Sequence, residues 1–105
     1  MNTTTRAVEA ACAATYGRNW RATLCRLAGW SERFLERIMN GTNEPPDYFL
    51  GIVARVLRHT AALHDELSKD DIPQVRIDIL IGERDSALAW AAEVEAVART
   101  TERAA

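Results

Sequence analysis

The 105-residue sequence predicts a mainly α-helical fold, a bundle of four to five helices. Three observations predict it. Apolar residues recur three to four positions apart through most of the chain, the spacing that gathers side chains on one helix face. Gly17, Gly29 and Gly41 punctuate these runs, and a glycine just past a last helical turn supplies left-handed backbone without a Cβ penalty. Only one segment, about 74–81, alternates as a strand would. The apolar fraction of 48% is that of a globular chain large enough for a single core.

The first helix carries Val8, Ala11, Cys12 and Thr15 at helical spacing, with Thr3 to Thr5 as caps and Gly17 as its stop. Asn19 is placed to cap a second helix beginning at Trp20, and Tyr16, Trp20 and Trp30 are expected to close over the core. The stretch Arg21 to Gly41 organises the rest. Leu24, Leu27 and Ala28 share a face, Gly29 ends that helix, and Ser31 can cap the next by accepting a backbone N–H. In this third helix Leu35, Ile38 and Met39 face inward while Glu32, Arg33, Glu36, Arg37 and Asn40 face outward.

The segment NGTNEPP, with its two prolines, reads as a loop. A helix from about Asp47 to Leu67 follows, carrying Leu50, Val53, Val56, Leu57, Thr60, Leu63 and Leu67 in one stripe. It spans about 30 Å, longer than a three-helix core covers. Val75, Ile77, Ile79 and Ile81 alternate with Arg76, Asp78 and Leu80, and the β-branched enrichment favours a strand, with a helix as the alternative. A lone strand would pair with another copy, since its backbone groups need partners. A last helix from Glu83 to about Thr101 presents Leu88, Trp90, Ala91, Val94 and Val97. The chain therefore divides into a bundle over 1–68 and a dimerisation extension over 69–105. Leu63, Leu67, Val75, Ile77, Ile79, Ile81 and Trp90 are the expected contacts of a homodimer.

Leu24, Cys25, Gly29, Ser31, Leu35, Ile38 and Gly41 together resemble the helix-turn-helix of the Cro and phage-repressor class of DNA-binding proteins. Pro45 or Pro46 followed by Leu50, Val53 and Leu57 is similar to that family's next helix, so the resemblance covers roughly Ala7 to Leu57. Arg21 stands where the family frequently has glutamine, Trp30 where it has valine, and Phe34 where a small polar residue is common. The resemblance implies a sequence-specific transcriptional regulator of repressor type. Ser31, Glu32, Arg33, Glu36, Arg37 and Asn40 would then face bases of double-stranded DNA, and Asn19, Arg21, Thr42 and Asn43 would sit at phosphates. A homodimer would present two such helices to an inverted repeat.

Charge is divided along the chain. Met1 to His64 holds eight arginines against five acids, and Asp65 onward holds five bases against ten acids. A basic front half and an acidic back half fit a protein that turns one end toward a polyanion. Glu32 and Glu36 beside an exposed Phe34 would suit a different use, in which the same scaffold docks on a protein as antitoxins and small phage-encoded inhibitors do.

No phosphate-binding glycine loop, nucleophile elbow or metal-ligand spacing occurs, and His59 and His64, five apart, point in different directions. The expectation is a protein without catalytic activity, cofactor, metal or small-molecule effector. Cys12 and Cys25 fall on apolar helix faces as buried small hydrophobes of a reducing cytoplasm. The absence of a long apolar run predicts no membrane span.

Overall fold

The computed structural model describes residues 2–104, with side-chain environments through residue 101. Its elements are α1 (Thr3–Tyr16), a 3₁₀ turn (Gly17–Asn19), α2 (Trp20–Ala28), α3 (Glu32–Met39), α4 (Phe49–Leu67) and α5 (Gln74–Ala104). The predicted helical bundle is thus the fold found, and the described residues contain no strand.

Asn2, rather than one of the threonines, starts α1. Its Oδ1 accepts the Thr5 N–H at 2.9 Å, satisfying one of the donors that a helix N-terminus leaves open. Val8, Ala11 and Cys12 are fully buried, as their spacing requires. Asn19 caps nothing with its side chain. The 3₁₀ turn runs directly into α2, with the Trp20 N–H donating to Gly17 O, so the backbone makes the junction that a cap would otherwise make.

Helix α4 starts at Phe49, two residues later than expected, because the Pro46 carbonyl takes the Phe49 N–H at 2.9 Å in a turn of its own. Along α4, Phe49, Val53 and Leu57 are buried completely. They form one core with Val8, Leu24, Leu35 and Ile38. Tyr16 ties α1 to this helix. Thr60 Oγ1 donates to Val56 O at 3.1 Å, which leaves the Tyr16 hydroxyl to donate to Thr60 Oγ1 at 2.6 Å.

The alternating segment 74–81 is not a strand but the first two turns of α5. Pro73 begins it, accepting the N–H groups of Arg76 and Ile77, and Gln74 donates to Asp78 one turn on at 2.9 Å. A strand here would have left its backbone unpaired, whereas a helix satisfies these groups internally. The buried residues are Leu80, Ala87, Ala91 and Val94, a spacing of three, four and seven that belongs to a helix lying along another helix. The expected separate helix from Glu83 is therefore merged with this segment, and at 31 residues α5 runs about 46 Å. That length accounts for the long axis of the molecule, 47 Å.

Helix α5 folds back along α4, and ion pairs lace their edges: Arg58 Nε donates to Glu95 at 3.1 Å, and Arg84 meets Asp65 at 2.7 Å. The division expected between 1–68 and 69–105 is bridged by one core, because Ala91 and Val94 lie in the same cluster as Val8 and Leu24. Trp90, expected at a dimer contact, is half-buried against that cluster. Ile77 and Ile81 are also half-buried, whereas Leu63, Leu67, Val75 and Ile79 stay largely exposed. The tip of the α4–α5 hairpin thus projects past the core, as the length of the α4 stripe foretold.

Candidate nucleic-acid interface

The corner between α2 and α3 is built by three adjacent residues. Gly29 takes the left-handed conformation at φ 76° and donates its N–H to Cys25 O. A β-carbon there would meet nothing within 4 Å, so the glycine answers backbone strain rather than crowding. Trp30 N–H reaches the same carbonyl at 2.9 Å. Ser31, in extended backbone, then accepts the Phe34 N–H on Oγ at 3.1 Å and opens α3.

Behind the corner, the buried Cys25 thiol donates to Ser31 O at 3.6 Å. Burial pushes that thiol up from its ordinary range, and the Glu32 charge adds to the effect. Trp30 stacks on Phe49 with ring centroids 5.0 Å apart, and Phe34 packs tilted against Trp30 at 5.3 Å. These rings fasten the corner to the start of α4. Phe34 is consequently half-buried rather than a free aromatic anchor. The Trp30 position, a departure from the resembled family, is explained by this stack.

The two faces of α3 separate as its sequence foretold. Leu35, Ile38 and Met39 are buried, and Glu32, Arg33, Glu36, Arg37 and Asn40 are exposed together with Ser31. Among the described residues, none of the four charged side chains on this face has an opposite charge within 4.0 Å. Arg33 and Arg37 stand one turn apart as one ridge, and Glu32 and Glu36 form the next. Asn40 is partly engaged. Its Oδ1 accepts the Thr42 N–H at 2.9 Å, so only its amide N–H groups are left to offer.

The residues expected at phosphates are all exposed. Arg21 lies over the Trp20 ring, its guanidinium 5.3 Å from the centroid. A face-on cation of this kind is held in place while its N–H edges stay available. Asn19, free of a capping duty, sits at the start of the same helix. Thr42 and Asn43 follow α3 in the turn after Gly41. Arg18, Arg26 and Arg55 are also exposed and unpaired among the described residues, though not predicted as contacts. They are spread over the 3₁₀ turn, α2 and α4, so their spacing gives no periodic signal.

Among the described residues no group of three or more His, Cys, Asp and Glu side chains could hold a metal ion, and no helix is long and apolar enough to cross a membrane. No family model matches the chain, and neither a curated protein nor a solved structure is significantly similar to it.

Proposed function

We propose that this protein is a cytoplasmic, sequence-specific DNA-binding regulator of repressor type. It inserts α3 in the major groove and acts as a homodimer on an inverted repeat. One observation carries this reading: α3 keeps Leu35, Ile38 and Met39 inward and turns an unneutralised polar face outward, with two arginines one turn apart. Arginine reads guanine O6 and N7 as a fork, and glutamate accepts from cytosine N4, so both ridges of that face have base partners. Arg21, pinned over Trp20, supplies a sequence-independent phosphate contact beside it.

The protein-docking alternative draws on the same exposed Glu32 and Glu36, which phosphates repel. It is weakened by Phe34, which is spent on Trp30. A gel shift against the DNA upstream of the protein's own coding sequence separates the two. Arg33→Ala or Arg37→Ala should each cost about 1–3 kcal/mol on the specific site and little on random DNA, while Arg21→Ala should weaken both alike. Unchanged binding in all three variants, or no binding by the wild type, refutes the groove assignment.

A further inference from the structure

A shallow groove runs between the end of α2 and the outer side of α4, lined by Leu27, Ala28, Ile52, Arg55, Val56 and His59. Its floor is apolar. The Arg55 guanidinium and the His59 imidazole, one turn apart, form its polar edge, and both are exposed without an ion pair among the described residues. The groove opens beside Leu27, which is 39% exposed although it belongs to a helix that buries Leu24 and Cys25.

Further along α4 lies a matching shape. Leu63 and Leu67, each 49% exposed, stand one turn apart on the projecting end of the helix. Val56, Leu63 and Leu67 are separated by seven and four residues, so knob and groove share one side of α4. Beside these leucines are exposed acids, Glu66 and, in the turn after the helix, Asp70. Glu66 has only an exposed partner, Lys69 at 3.5 Å, and Asp70 has none within 4.0 Å among the described residues.

We infer that the groove receives the projecting end of α4 from a second copy of this chain, around a twofold axis beside Leu63. In that arrangement the two α4 helices run antiparallel. Leu67 of each copy enters the groove of the other, Glu66 comes beside His59, and Asp70 comes beside Arg55. The charge pattern selects this occupant. A groove between α2 and α4 edged by the Arg55 cation is followed, two turns along α4, by an apolar knob flanked by the carboxylates of Glu66 and Asp70, which is the self-complementarity that a twofold interface demands. The contact specifies the homodimer of the reading above but needs no DNA. An assay without DNA therefore fails or succeeds independently of the gel shift.

The test is sedimentation of the full chain and of Arg55→Glu and Asp70→Arg, each checked for unchanged helicity by circular dichroism. The wild type should be a dimer. Each variant alone sets like charges against each other twice per dimer, and its dissociation constant should rise at least about tenfold. An equimolar mixture should recover the wild-type affinity, because Glu at 55 then meets Arg at 70 across one half of the interface and the native pair reforms across the other. Leu67→Asp should be monomeric. A monomeric wild type, or two weakened variants whose mixture stays as weak as either alone, overturns the inference and leaves the groove to a different chain.

Discussion

Replacing Leu35 with alanine tests the inward face of α3 directly. Leu35 is 1% exposed and sits in the core with Leu24 and Val53. The substitution deletes three side-chain carbons, a transfer loss of about 2.4 kcal/mol at roughly 0.8 per methylene. The cavity left behind adds to this, since α3 is held by backbone turns at both ends and cannot collapse freely, giving about 3–4 kcal/mol in all. A domain of this size holds roughly 5–15 kcal/mol, so the variant should fold but with a midpoint at least about 12 °C lower. Urea unfolding followed by far-UV circular dichroism measures the free-energy loss, and a thermal melt followed by the same signal measures the midpoint. Leu88→Ala is the internal control: at 37% exposure, and away from the groove of α2 and α4, it should cost well under half as much. Equal losses at the two positions, or a loss below about 0.5 kcal/mol at Leu35, would mean that α3 is rotated from the face described, and the assignment of Arg33 and Arg37 would go with it.

Three further outcomes are expected. Ser31→Ala removes the acceptor of the Phe34 N–H and should cost about 1 kcal/mol, with Ser31→Asp restoring most of it in the same urea assay. The Arg58 guanidinium holds the Glu95 carboxyl below its ordinary 4.5. A lowered folded-state value stabilises above the unfolded value and is lost as pH falls through the folded one, so melting curves of wild type and Arg58→Ala should differ at neutral pH and converge only as the pH falls through the folded value, which lies below 4.5. Burial pushes the Cys12 thiol up to about 12, and Cys25 is raised in the same direction. Neither should react with a thiol-specific alkylating reagent in the native protein, and both should react in urea; rapid labelling of native Cys12 would contradict its burial.

Elements whose signals are local were legible in the order of residues alone. A cap, a left-handed glycine and an apolar spacing act within a few residues, so Ser31, Gly29 and the faces of α3 could be read before any packing was known. The stretch 74–81 could not. Its period-two pattern and β-branched residues satisfy strand chemistry locally, and only α4, offering a surface for Leu80, Ala87 and Ala91, makes the helix the lower free-energy state. Leu27 and Leu24 are alike as letters, and Trp90 and Leu88 share a helix. Which of them meets a neighbour depends on where α4 and α1 lie. The groove edged by Arg55 and His59 exists only because α2 ends against α4. Exposure is a property of two surfaces, and a one-dimensional pattern specifies only one of them.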